Sequence, residues 1–222
     1  MIVIDDVWKE YGDQIVLERI SLTIEDRAFV ALVGPSGCGK TTFLKLLLGE
    51  EAPTQGTITL DGRTLAPEPG RDRGVVFQRY SVFPHLSVLD NVALGLELPR
   101  SPLLGRLFGS AKKQAREQAS VLLLDEPFGA LDPGIRKDMH ALLLELWRET
   151  RLTVFMVTHD LSEGFSLGTR LLVFDKVRLD PHAPGAYGAR ITYDIPLNSD
   201  RRAHRAAVDA LPAPLAGTLR IA

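Results

Sequence analysis

Apolar and polar residues alternate in short runs over positions 2–31: Ile2 and Ile4, then Leu22 and Ile24, then the continuous Phe29-Val-Ala-Leu-Val33. A period of two marks a strand with one buried face, and Gly12-Asp13 supplies a break, so this stretch predicts antiparallel strands feeding a fully buried one. A glycine-rich turn occupies 34–39, and residues 41–48 then switch to helical spacing. Phe43, Leu44, Leu47 and Leu48 share one face there, and Gly49 stops the helix. Residues 56–60 and 74–77 predict two short strands, separated by an Asp61-Gly62 turn and a Pro-rich loop. Pro99, Pro102, Gly105 and Gly109 interrupt the next region before a short polar helix over 111–119.

Residues 121–124 form an apolar strand ending at Asp125. Ile135, Met139, Leu142, Leu143, Leu146 and Trp147 recur at helical spacing and predict an amphipathic helix. Two more buried strands follow at 153–157 and 171–174. Strand, helix, strand in this order requires crossover connections, hence an α/β fold with a mostly parallel sheet behind an N-terminal antiparallel portion. From about Asp180 the composition turns to Pro, Gly and Ala, with only 190–195 able to pair as an edge strand. There is no internal repeat.

Length changes this picture little: 222 residues fit one domain with a sizeable core, and 45% hydrophobic with 24% charged residues is ordinary for a soluble protein. A net charge of −2 gives no electrostatic reason to expect nucleic acid as a partner. The single Cys38 excludes an internal disulfide framework and suits a reducing cytoplasm. No run approaches the ~20 apolar residues that span a bilayer, and the first residues lack the pattern of a secretory signal. The expectation is a soluble chain, anchored by something else if it works at a membrane.

The chemistry starts at Gly34-Pro35-Ser36-Gly37-Cys38-Gly39-Lys40-Thr41, which fits G-x-x-x-x-G-K-[ST] in the required setting, a buried strand before it and a helix after. Phosphate is densely negative and needs many donors at close range. The glycines let backbone N–H groups turn inward, the helix presents its positive end, and Lys40 adds a mobile charge for the outer phosphates. Thr41 offers a hydroxyl to Mg²⁺, which prefers oxygen. Cys38, inside this loop, reads as a small filler and not a nucleophile.

Downstream, Asp125 and Glu126 end an apolar strand. In a doubly wound sheet the carboxyl ends of the strands carry the ligand, so Asp125 is placed to hold the metal and Glu126 to orient and deprotonate an attacking water. Adjacent acids after a strand can also be a plain solvated turn; pairing with the phosphate loop favours catalysis. His159 ends another strand of the same sheet, within reach of a γ-phosphate. Gln78 follows the strand at 74–77 and can touch both metal and water.

With these residues in place the chain resembles the ATP-binding-cassette ATPases over nearly its whole length, as one P-loop NTPase domain spanning 1–222. Gly34 to Thr42 resembles the Walker A loop, Gln78 the Q-loop, Val121 to Glu126 the Walker B strand, Ala130-Leu131-Asp132 the D-loop and His159 the switch histidine. Tyr11 is similar to the aromatic that stacks on adenine in that family. The wording of Phe83-Pro-His-Leu-Ser-Val-Leu-Asp-Asn91 and Glu126-Pro-Phe-Gly-Ala-Leu-Asp132, with no C-terminal regulatory domain, looks most like the nitrate/sulfonate/taurine/bicarbonate importers. The segments Thr158 to Gly168 and Ile191 to Leu197 are similar to members found with urea-carboxylase systems. The resemblance implies ATP and Mg²⁺ as ligands, and transmembrane permease subunits with a second ATPase subunit as partners. It also implies a peripheral place on the cytoplasmic face of the membrane.

One part of the family pattern is missing. No LSGGQ-like signature precedes the Walker B strand, and only the 46 residues 79–124 separate Gln78 from Asp125. Residues 85–120 therefore read as the remnant of a truncated helical subdomain, and 180–222 as a C-terminal extension. Leu161-Ser-Glu-Gly-Phe165 resembles the signature superficially, but it follows His159 and reads as the start of an ordinary helix. Since each signature completes the phosphate site of the facing chain, two identical copies would leave both sites half built. Two expectations stand side by side: an importer ATPase, with a partner supplying the signature, or an ATP-binding remnant deficient in hydrolysis. Gln78, the D-loop and His159 argue against a third, a P-loop kinase or GTPase.

Overall fold

The computed structural model describes residues 1–65, 68–70, 72–76, 120–129, 131–150 and 152–197. Two sheets organise them. Strands β1 (Ile2–Tyr11), β2 (Gln14–Ile24), β4 (Gln55–Leu60) and β5 (Arg63–Thr64) form an antiparallel sheet in the order β2-β1-β4-β5. Strands β3 (Phe29–Val33), β6 (Arg73–Val76), β7 (Val121–Asp125), β8 (Thr153–Val157), β9 (Arg170–Asp175) and β10 (Arg190–Pro196) form the second, in the order β10-β9-β3-β8-β7-β6. Every pairing in it is parallel except that of β10, which runs antiparallel to β9 at the edge. The expected P-loop architecture, with an antiparallel front and a mostly parallel core, is what the chain adopts.

The period-two pattern explains the layering. In the parallel sheet Val30, Leu32, Leu123, Phe155, Leu172 and Phe174 face helix α1 (Lys40–Leu48) and the antiparallel sheet, in one continuous core with Phe43 and Leu47. The alternate residues face the other way. Leu122, Leu124, Val154 and Met156 pack under helix α2 (Pro133–Thr150), while Ala31, Val33, Leu171 and Val173 pack under helix α3 (Leu161–Leu167). The sheet is thus buried on both faces, which is why Phe29–Val33 of β3, Val121–Leu124 of β7 and Val154–Val157 of β8 are continuously apolar and do not alternate. Each fully buried Phe or Leu contributes about 1.5–3 kcal/mol to this sandwich.

Boundaries shift slightly from the sequence reading: α1 begins one residue earlier, at Lys40, and β7 runs on to include Asp125. The edge strand at 190–195 is present, and Ala189 just before it bridges to Leu17 of β2. Gln78, Ala130, the helix expected over 111–119, nearly all of the 85–120 segment and the end of the C-terminal extension lie outside the described residues.

Candidate functional site

Three parallel strands, β3, β8 and β7, are neighbours and end together. Their ladder runs one step past the strands: the Thr158 N–H donates to Leu32 O at 3.1 Å and the Glu126 N–H to Val157 O at 3.0 Å. This brings the 34–39 loop, Asp125-Glu126 and Thr158-His159 to one edge of the sheet.

The loop is shaped by where it leaves β3. Gly34 has φ +149° and lies so close to β9 that a Cβ there would stand 2.1 Å from the Phe174 carbonyl oxygen. At Gly37, φ +78°, an added Cβ would meet nothing within 4 Å among the described residues, as expected for a loop that must admit a ligand. Gly39 caps α1, whose first turn carries no acidic residue, so no side chain offsets the positive end of the helix. Lys40 is buried, and its Nζ donates to Gly34 O at 2.7 Å and Pro35 O at 2.8 Å. The ammonium thus stands in the middle of a ring of backbone that bends around it. Burial pushes the Cys38 thiol above its ordinary pKa, with nearby Lys40 only partly offsetting this. A protonated thiol agrees with the filler reading.

Thr41, the second residue of α1, donates its Oγ1–H to Asp125 Oδ2 at 3.0 Å across to the end of β7. Burial pushes the Asp125 carboxyl above its ordinary range; the Thr41 hydrogen bond and Lys40 pull the other way, and the Glu126 charge adds to the upward shift. A buried carboxylate beside a hydroxyl is a pair of hard oxygen donors with one desolvated negative charge, the chemistry that suits Mg²⁺. The two residues fit such an ion, which would give Asp125 a counter-charge.

Glu126 occupies a left-handed conformation, φ +48°, uncommon for a residue with a side chain. Such a conformation costs about 1–2 kcal/mol and persists only where its surroundings enforce it. Here the ladder bond to Val157 holds the backbone. The turn sends the side chain toward His159, whose Nδ1 is 3.6 Å from Glu126 Oε2. His159 is 65% exposed against 24% for Glu126, so the imidazole reaches outward over a half-covered carboxylate. This pair can orient a water between a base and a neighbouring polar group.

Tyr11 ends β1 and is 45% exposed. Its hydroxyl donates to the Glu51 carboxylate, and burial of the hydroxyl together with that charge pushes its pKa up to about 12. Lys9 lies 4.9 Å over the ring, pairing with Glu51 at 3.0 Å. A base stacking on the ring face opposite Lys9 would therefore meet a ring whose orientation is already fixed. Glu51 was not singled out in the sequence; its place just after the Gly49 stop was the available hint.

A second residue overlooked in the sequence is Glu163. Asp160-Leu-Ser-Glu163 has the spacing of a capping box, which would turn Glu163 back to the helix start. Asp160 does cap α3, accepting from the Ser162 and Glu163 N–H groups, but the Glu163 side chain is buried and bonds elsewhere.

Strand order, phosphate loop and acidic strand end together define a P-loop nucleotide-binding protein. A sequence profile of the ABC transporter family matches residues 17–164, and the chain belongs to that family, whose ATPases bind ATP. It is 38% identical over 231 positions to the taurine import ATP-binding protein TauB of Escherichia coli O157:H7, covering 91% of this chain and 86% of the relative. It is 37% identical over 210 positions to the sulfate/thiosulfate import ATP-binding protein CysA of Mycobacterium tuberculosis (81% of this chain) and spans 60% of that relative's length. The spermidine/putrescine import ATP-binding protein PotA of Legionella pneumophila is 37% identical over 206 positions, covering 79% of this chain and 57% of the relative. Among solved structures, the dimeric bacterial ABC transporter cassette MJ0796 superposes with a TM-score of 0.66 at 24% identity, over 90% of this chain and all of that one. That likeness bears on the fold. Among the described residues no helix is long and apolar enough to cross a membrane.

Proposed function

We propose that this chain is the ATP-binding subunit of an ABC importer, coupling ATP to the passage of a small solute through permease subunits at the cytoplasmic face of the membrane. The observation that carries the reading is the convergence of Lys40, Thr41, Asp125, Glu126 and His159 at one sheet edge. In the proposed roles, residues 34–42 cradle the phosphates and Tyr11 stacks on adenine. Thr41 and Asp125, with Gln78, hold Mg²⁺, which when bound neutralises phosphate charge. Lys40 exchanges its two loop carbonyls for phosphate oxygens. Glu126 takes a proton from the attacking water, and His159 fixes that water and the γ-phosphate by hydrogen bonds. Residues 1–222 form a single cassette domain on this reading, with 180–222 a C-terminal extension.

A second reading concerns rate. The 46-residue spacing between Gln78 and Asp125 and the missing signature favour an internally shortened helical subdomain. The alignment to the taurine relative supports it: 231 positions exceed this chain's own length while covering 91% of it, so some have no counterpart here. A chain of this kind binds ATP but hydrolyses it slowly, because the donor from a facing signature is worth about 10³–10⁵ in rate, as an arginine finger is elsewhere.

Titration calorimetry tests the first reading. Mg-ATP binds the wild type and not the Lys40→Ala variant; no binding to folded wild-type protein refutes it. Steady-state assays test the second. The chain alone turns over slowly, and a full-length paralogue restores the site built on this chain's phosphate loop. Ordinary turnover by the chain alone, abolished by Lys40→Ala, would show that the shortening does no harm.

A further inference from the structure

We propose that Glu163 is a positioning residue for His159, holding the histidine turn against the start of α2; the proposal rests on the reading of Glu126 and His159 as the hydrolytic pair. His159 is mostly exposed, and its own side chain is a weak determinant of where it stands. Its two neighbours fix it instead. Thr158 is buried, donates its Oγ1–H to Glu163 Oε2 at 2.6 Å and accepts the Asp160 N–H on the same oxygen at 3.0 Å. These two hydrogen bonds at one hydroxyl close a tight turn with His159 at its tip.

The other oxygen of Glu163 faces α2. His140 Nε2 lies 3.4 Å and Arg136 Nε 3.7 Å from Oε1, both at ion-pair range but outside hydrogen-bonding geometry, and both nitrogens are buried with no hydrogen-bond partner. Arg136 also donates to Leu131 O at 3.1 Å and lies 3.9 Å from Asp160. His140 packs edge-on against Phe128, ring centres 4.6 Å apart, two residues beyond Glu126. Three segments, carrying Glu126, Leu131-Asp132 and His159, therefore converge on one carboxylate. A buried acid serving stability alone would not need to link all three. Two nitrogens that stand beside Oε1 without bonding it leave slack that a small shift or turn of the α2 side chains would close, so movement of the Leu131-Asp132 turn is transmitted to the histidine.

The test reads the Glu126–His159 contact in nucleotide-free protein, so it needs no turnover. The His159 Cε1–H resonance is assigned with a His159→Gln control, and the shift produced by Glu126→Gln is measured. In the wild-type background Glu126→Gln moves that resonance. In Glu163→Ala and Thr158→Val backgrounds the same substitution moves it less, by about twofold or more, the mark of coupled sites. Glu163→Gln, which keeps an acceptor for the Thr158 hydroxyl, preserves the response. Should Glu163→Ala not fold, Thr158→Val decides, since it removes one hydroxyl and keeps the shape. An undiminished response in the folded variants, whatever stability they lose, overturns the positioning role while leaving the hydrolytic pair intact. No response in the wild-type background overturns both the pair and the role built on it.

Discussion

Replacing Gly34 and Gly37 one at a time by alanine separates two reasons for glycine in the same loop. At Gly34 the added methyl would stand 2.1 Å from the Phe174 carbonyl oxygen and 3.1 Å from Cys38 Sγ, with φ at +149°. Phe174 cannot retreat, because β9 is bonded to β3 on one side and β10 on the other. Overpacking costs about 1–3 kcal/mol and the glycine-only backbone region a similar amount, so Gly34→Ala should lose about 3–5 kcal/mol. At Gly37, φ is +78° but nothing lies within 4 Å of the methyl. Only the left-handed backbone penalty of about 1–2 kcal/mol applies, offset by about 0.4–1 kcal/mol from a stiffer unfolded chain. In a chain of this size 1 kcal/mol moves Tm by about 2–4 °C, so Gly37→Ala should melt within about 6 °C of wild type and Gly34→Ala about 6–20 °C below it. Gly34→Ala should also lose Mg-ATP affinity, because relieving the clash with Phe174 displaces the start of the loop proposed to cradle the phosphates. Thermal melts followed by circular dichroism, with ATP titrations on the folded variants, measure both. Equal melting and equal affinity for the two variants would refute the claim that the loop is wedged against β9.

Glu126→Gln, which in an ABC ATPase with both halves of its site removes the base and traps ATP between two cassettes, should give no ATP-dependent dimer here; light scattering after size exclusion checks it, and a stable dimer counts against the shortened subdomain. Glu18→Gln should destabilise the fold by about 1–3 kcal/mol near neutral pH, less than for a fully buried pair because the partner guanidinium groups of Arg178 and Arg190 are partly solvated. Burial pushes the Glu18 carboxyl up, but hydrogen bonds from Arg190 and the Gly188 N–H outweigh it and hold the pKa below the ordinary 4.5. The wild-type advantage is therefore present above that value and lost as pH falls through the lowered native one; denaturant melts across that range decide it, and a pH-independent difference contradicts the ion-pair account.

The sheet was legible because burial on both faces leaves an unambiguous mark. Phe29 to Val33 and Val121 to Leu124 are apolar without interruption, and only a strand covered on both sides tolerates that. The same logic placed Gly34 to Thr41, Asp125 and His159 at one edge, since strands of a parallel sheet all deliver their ends to the same side. Side-chain partners were not legible in this way. Glu163 has the spacing of a helix cap, and Glu51 that of a solvated loop acid; tertiary neighbours that are distant in sequence, His140 and Tyr11, set their roles instead. Glu18 sits on an otherwise alternating strand and is buried only because residues 176–190 return to cover it with two arginines.

These two kinds of legibility bear on how binding and hydrolysis separate. On the proposed reading, phosphate binding draws on the loop, the α1 terminus, Lys40 and the Thr41–Asp125 pair, all of which are fixed by one βα unit and by β7, two places along the same sheet from β3. Nothing outside the chain is needed to assemble them, so on the proposed reading affinity for ATP survives any change in residues 85–120. Hydrolysis adds a requirement that no strand end can meet alone: charge developing on the transferred phosphoryl group must be stabilised from the side facing away from the loop. On the proposed reading Glu126 and His159 prepare the water on this chain's side, and the left-handed turn at Glu126 keeps the two side chains together. The opposite side must come from another surface. A single chain can therefore retain every catalytic residue named here and still be slow, which is why binding and turnover have to be measured apart.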